Sequence, residues 1–125
     1  MKFLLDTHVL LWWLSDHKSL TPKATVAIKD GGNSIFVSAA TAWEISIKRA
    51  LGKLKAPANL EEVLTSNNFQ HLPISLQHGL VAGALPRHHD DPFDRMLIAQ
   101  AKTDQLTIIT HDVRMEHYGV SILWT

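Results

Sequence analysis

A chain of 125 residues, 46% hydrophobic and 19% charged, is long enough to bury a core and too apolar to be disordered. Lys and Arg number 12 against 12 Asp and Glu, which excludes nucleic-acid binding by overall polycationic attraction, although a local basic patch remains open. The absence of cysteine excludes disulfides, thiolate nucleophiles and Cys-ligated zinc, and suits a reducing cytoplasm.

The first element, KFLL (2–5), reads as a short buried strand ending at Asp6, with Asp6 or Thr7 able to cap a helix through about Ser15. Asp6 and His8 interrupt the apolar opening, and no small-residue cleavage site follows, so neither a signal peptide nor a membrane span is expected. SIFVS (34–38) follows the turn signal DGGN and leads into the helix AATAWEISIKRAL, which stops at Gly52. A helix is expected over 60–68, a strand over 69–74 and a helix over 75–85 opened by Ser75. Asp91 then caps a helix that has Pro92 in its first position and runs to about Asp104. LTIIT (106–110) is the most strand-like segment. A helical turn after Asp112 and a strand over 121–125 complete the chain. Without an internal repeat or a linker, residues 1–125 read as one domain.

Short apolar strands alternating with helices predict an α/β fold, a largely parallel sheet covered on both faces. Such sheets bind ligands beyond the carboxyl ends of their strands, near the point where strand order reverses. Asp6 directly follows the first strand, and Asp112 follows LTIIT after His111. Glu44 shares a helical stripe with Ala40, Ile47 and Leu51, and Asp94 shares one with Leu97, Ile98 and Ala101. Both carboxylates are therefore expected to point partly inward, where an unpaired charge is costly.

Each acid has an ordinary explanation. Asp6, Asp91 and Asp112 can be helix caps, Glu44 can pair with Lys48 at i+4, and Asp94 can pair with Arg87 or Arg95. Four acids expected at one edge, from four segments, point instead to a shared cation. An oxygen-only ligand set suits Mg²⁺ or Mn²⁺, the ions that commonly assist phosphodiester cleavage.

LLDTHVLLWWL, WEISIK, DPFDRMLIAQA and IITHD, in this order and spacing over nearly the whole chain, resemble the PIN-domain ribonucleases, specifically the VapC-like toxins of bacterial toxin–antitoxin pairs. The resemblance implies a parallel sheet of about five strands flanked by helices. It also implies Mg²⁺- or Mn²⁺-dependent cleavage of RNA, with Asp6, Glu44, Asp94 and Asp112 as catalytic, metal-holding acids. Thr110 matches a supporting hydroxyl, and Asp91 an outer partner of the site. A VapB-like antitoxin and a homodimer are the partners it implies. This chain departs from the common pattern at His8, where many relatives carry a small polar residue, and in the His-rich loop RHHDD. His8, His88, His89 and His111 can contact phosphate or alter metal choice, but surface or capping roles are the commoner outcome for histidine.

RNA contacts are expected from Lys48, Arg87 and Arg95, with Arg49, Lys53, Lys55 and Arg114 as further cations near the acidic motifs. Of Trp12 and Trp13 one should be buried and the other free to face a partner. Trp43 is expected to pack on the sheet, and Trp124 receives no role. The alternative function is a PIN-like domain that binds RNA or protein without cutting. A loss of acids would mark that, and all four are present. A receiver domain would need a phosphoacceptor Asp after a middle strand, which FQHLPI does not supply.

Overall fold

A computed structural model describes residues 1–125. The chain runs β1 (Lys2–Leu5), α1 (Thr7–Leu14), α2 (Pro22–Lys29), β2 (Ser34–Ser38), α3 (Ala39–Ala50), α4 (Leu60–Ser66), β3 (Gln70–Leu72), α5 (Leu76–Ala84), α6 (Pro92–Asp104), β4 (Thr107–Thr110), a 3-10 turn (Val113–Tyr118) and β5 (Ile122–Trp124). The five strands are all parallel, in the order β3-β2-β1-β4-β5, as the helical crossovers between them require.

Alternation along the two central strands feeds a core on each face. Phe3, Leu5 and Ile109 join Val9 and Leu10 of α1, Ile28 of α2 and Ile45 of α3 on one side. Leu4 and Ile108 meet Leu97, Ile98 and Ala101 of α6 on the other, with Met115 and Tyr118 from the 3-10 turn.

The chain leaves β1 at the sheet centre for β2 and β3 on one side, then crosses over to lay down β4 and β5 on the other. Strand order therefore reverses between β1 and β4, which pair with Leu5 opposite Ile109. Helices α1 and α3 start at the carboxyl edge because they follow strands. The N-terminus of α6 lies at the same edge because that helix descends to enter β4.

Local signals set the element ends. Asp6 caps α1 by accepting from the His8 N–H, Ser75 and His78 form a reciprocal cap on α5, and Asp91 caps α6 ahead of Pro92. The sequence reading lacks α2, although Thr21 accepts from the Ala24 N–H and Pro22 sits in its first turn. Only Ala24 and Ile28 of this helix are buried, so its apolar stripe is too short to stand out. The third strand is shorter than the expected 69–74, ending at Leu72 before Pro73, which has no N–H to donate. The expected helix over 60–68 ends at Ser66, and Asn68 adopts a left-handed φ of 60°. No helix is long and apolar enough to cross a membrane.

Candidate active site

Asp6 and Asp112 lie beside each other at the strand-order reversal, and Thr110 ties them together. Its hydroxyl donates to Asp6 Oδ2 (2.5 Å) and accepts from the Asp112 N–H (3.0 Å). Asp6 is only 5% exposed. Its other oxygen accepts from the His8 N–H at the start of α1.

Glu44 reaches the same place from α3 and is buried at 4% exposure. Thr7 donates to Oε1 at 2.7 Å, and Lys48 Nζ holds Oε2 at 2.6 Å. Asp94 enters from the first turn of α6, with a side chain 13% exposed. Its Oδ2 lies 3.4 Å from His89 Nε2 and 3.7 Å from Arg114 Nη2. Asp91 uses Oδ1 to accept from the Phe93 and Asp94 N–H groups, which fixes the helix turn that carries Asp94.

These groups wall an open cleft of about 530 Å³ that holds Asp6, Glu44, Asp91, Asp94 and Asp112 together with Lys48 and Arg114. A second cavity of about 400 Å³ lies between α3, α4 and β3, but Glu61 is its only carboxylate. The chemistry is concentrated at the strand-order reversal.

The electrostatics follow from burial and like charge. Burial, then the charges of Asp91, Asp6, Asp112 and Glu44, push the Asp94 carboxyl up to about 8. Burial also raises Asp6, against the hydrogen bonds from Thr110 and His8. Asp112 goes the other way, because the Arg114 guanidinium grips both its oxygens at 2.7–3.2 Å and holds it below the usual carboxylate range. The hydrogen bond to Glu44 raises Lys48. Burial, then the Arg114 charge, lowers His89.

The donor set fits a divalent cation on an observation independent of charge. One ligand atom from each of His89, Asp94 and Asp112 lies within 4.8 Å of the other two. Asp94 and Asp112 line the cleft together with Asp6, His89 lies behind Asp94, and both Glu44 oxygens are already engaged by Thr7 and Lys48. Hard oxygen ligands dominate, so the set suits Mg²⁺ or Mn²⁺.

The sequence profile of the PIN domain matches residues 3–120. The chain belongs to the PIN domain family. Among curated proteins, none matches the sequence significantly. Solved structures match closely in shape and distantly in sequence. A chain of Rickettsia felis VapBC2 bound to a promoter DNA fragment has a TM-score of 0.73 at 15% identity, covering 99% of this chain and 98% of that one. A chain of DNA-bound VapBC from Salmonella typhimurium gives 0.70 at 18%, with coverage of 99% and 98%. VapBC-1 from nontypeable Haemophilus influenzae gives 0.68 at 18%, with coverage of 100% and 97%. The parallel five-stranded sheet with flanking helices is thus the PIN fold.

Within this PIN domain the cations depart from several sequence expectations. Lys48 lines the cleft, but it is paired with Glu44. Arg95 is not available as the expected RNA contact: its guanidinium donates to the carbonyls of Ala82, Leu85 and Pro86 and clamps the loop after α5 onto α6. Arg87 stands off the cleft on that loop, 85% exposed, and pairs with Asp90. Arg49, Lys53 and Lys55 are exposed and do not line the cleft. Arg114 is the arginine that touches the acids.

The aromatic residues also differ from expectation. Both Trp12 and Trp13 are half-buried, Trp12 stacked on His17 at the edge of the cleft and Trp13 donating to Asn67 Oδ1. Trp43 is 62% exposed with its ring against Phe93, not packed on the sheet. Two site groups escape a reading by periodicity. Thr7 was visible only as a cap, yet it anchors Glu44. The side chain of His89 is 6% exposed, contrary to the surface role expected of this loop.

Proposed function

We propose that this PIN domain is a metal-dependent endoribonuclease acting as the toxin of a toxin–antitoxin pair. The observation that carries the reading is the convergence of Asp6, Glu44, Asp94 and Asp112, from four separate segments, on one cleft where Asp94 is pushed up to about 8. A protein gains nothing in stability from such a cluster, so its compensation lies in a bound cation.

Asp6, Asp94 and Asp112 are the residues that would hold Mg²⁺, or Mn²⁺ in its place. Such an ion supplies Lewis acidity toward a phosphoryl oxygen and acidifies bound water. Glu44, both of whose oxygens are held by Thr7 and Lys48, orients the inner face of the cleft. Thr110 keeps the Asp6 carboxylate and the Asp112 backbone in register. Lys48 and Arg114 are partly exposed, at 38% and 55%, and can turn from their carboxylates to the phosphate of an RNA strand.

The partner reading rests on the solved structures, whose matching chains come from VapBC complexes, and on an apolar strip on α3. Trp43, Ile47 and Leu51 recur at i, i+4 and i+8 and are 62%, 37% and 63% exposed, a surface suited to an antitoxin of the VapB kind or to a second copy of the chain. A toxin of this kind acts in the cytoplasm.

The test is cleavage of a mixed cellular RNA pool by antitoxin-free protein with Mg²⁺, Mn²⁺ or EDTA, beside Asp6→Asn and Asp94→Asn. Discrete fragments that need metal and fall at least about 100-fold in either variant are expected. Undiminished cleavage in both variants overturns the site. Metal-dependent RNA binding without any cleavage transfers the protein to the binding-only class.

A further inference from the structure

His89 is the one member of the His-rich loop whose imidazole is packed inside the protein, and it stands two residues before the cap of α6. Its Nδ1 meets the Tyr118 hydroxyl at 2.7 Å, and the same hydroxyl accepts the His89 backbone N–H at 3.2 Å. Tyr118 is itself buried at 4% exposure, so ring position is set by the core and not by the loop. Nε2 is fully buried and has no hydrogen-bond partner. An orphaned buried nitrogen of this kind carries an unrelieved desolvation cost, which a structural histidine would be expected to avoid.

That nitrogen faces Asp94 Oδ2 at 3.4 Å, and ligand atoms of His89, Asp94 and Asp112 lie within 4.8 Å of one another. Ligands of a single cation at about 2.1 Å lie about 3 Å apart when adjacent and at most about 4.2 Å apart when opposite, so small side-chain rotations would close the three atoms onto one ion. A metal-binding histidine also has its second ring nitrogen held by a neighbour. When Nδ1–H donates to Tyr118, Nε2 is left with its lone pair toward the two carboxylates.

From this geometry we propose that His89 is a nitrogen ligand to the divalent cation, acting with Asp94 and Asp112, and that it tilts the site toward a first-row transition ion such as Mn²⁺ over Mg²⁺. The preference follows from donor chemistry, since imidazole suits first-row transition ions better than it suits Mg²⁺. The inference rests on the metal-nuclease reading above and deepens it. It adds a residue that the four-acid set omits.

The test is cation binding by the full chain, measured by calorimetry and by pulsed EPR of bound Mn²⁺. Wild-type protein is expected to show nitrogen modulation from a directly bound imidazole. His8→Gln with His111→Gln, which alters the exposed imidazoles near the cleft, should retain that signal. His89→Gln should lose it, with Mn²⁺ affinity falling about tenfold or more while Mg²⁺ affinity changes less than about threefold. Equal weakening for both ions would show His89 to be a buttress of Asp94 and overturn the proposal. So would an oxygen-only EPR signature in wild-type protein, a result that does not depend on the variant folding. Failure of wild-type protein to bind Mn²⁺ or Mg²⁺ at all would overturn the metal-nuclease reading together with the role of His89.

Discussion

Burial and the neighbouring carboxylates push Asp94 up to about 8 in the metal-free fold, which favours its protonated form near neutral pH, whereas its ordinary value is 3.8. Between these values the native state binds the extra proton, so this residue makes the metal-free protein lose stability as pH rises from about 4 to 8. Asp6 acts in the same direction. Asp112, held below the usual range by Arg114, contributes stability that is present above its ordinary value and lost only in more acid solution. Asp94→Asn in EDTA is therefore expected to be more stable than wild type by about 2–4 kcal/mol at pH 7.5, with little gain at pH 4. Urea unfolding across that range measures it, and an Asn variant no more stable at pH 7.5 than at pH 4, relative to wild type, would refute the electrostatic account.

Helix α6 brings its acids to the edge by its N-terminus, where free N–H groups and the positive end of the helix dipole favour negative charge. Asp91 serves twice there. It accepts from the Phe93 and Asp94 N–H groups, and its charge is the largest electrostatic cause of the rise at Asp94 after burial. The two roles separate by substitution. Asp91→Asn keeps the cap and removes the charge, so stability at pH 7 should hold or rise, whereas Asp91→Ala should lose about 1 kcal/mol through the missing cap. Both variants should move the Asp94 titration downward, followed by NMR of its carboxyl carbon. A loss of stability as large in Asp91→Asn as in Asp91→Ala would mean that the cap is not what Asp91 supplies.

At the scale of the whole molecule, a sheet whose central strand is laid down first gathers both ends of the chain around one edge. Asp6 and Asp112 are far apart in sequence, but β1 and β4 are neighbours, and the helices on the two faces deliver Glu44 and Asp94 to the same opening. Because these groups belong to elements that disperse on unfolding, a cation held by them stabilises the native state as a unit. Mn²⁺ or Mg²⁺ at about 100 times its dissociation constant should stabilise the fold by about 2.7 kcal/mol, raising Tm by roughly 10 °C. The rise should be absent in Asp94→Asn and in Asp112→Asn. A metal-induced shift that persists in both would place the bound ion elsewhere on the protein.

Much of this was legible in the amino-acid order. Asp6 is conspicuous because an apolar strand stops at it, Asp112 because it trails LTIIT, and Glu44 and Asp94 because helical spacing sets each on an apolar stripe. The parallel sheet follows from the same periodicity, since strands apolar on both faces need helices over each. Strand order is not encoded locally, and only the tertiary structure placed Asp6 beside Asp112. Loop residues carry no periodicity, so partners distant in sequence decided their roles. Tyr118 holds the His89 ring inside the protein, and carbonyls after α5 take Arg95 away from solvent. The amino-acid order by itself determined the inward turn of Asp94, because Leu97, Ile98 and Ala101 on its stripe are all buried. Glu44 turns inward although Ile47 and Leu51 of its stripe are exposed, so its burial beside Thr7 was decided by tertiary packing. Which inward groups meet depends on how elements cross, and that was settled by packing two cores against one twisted sheet.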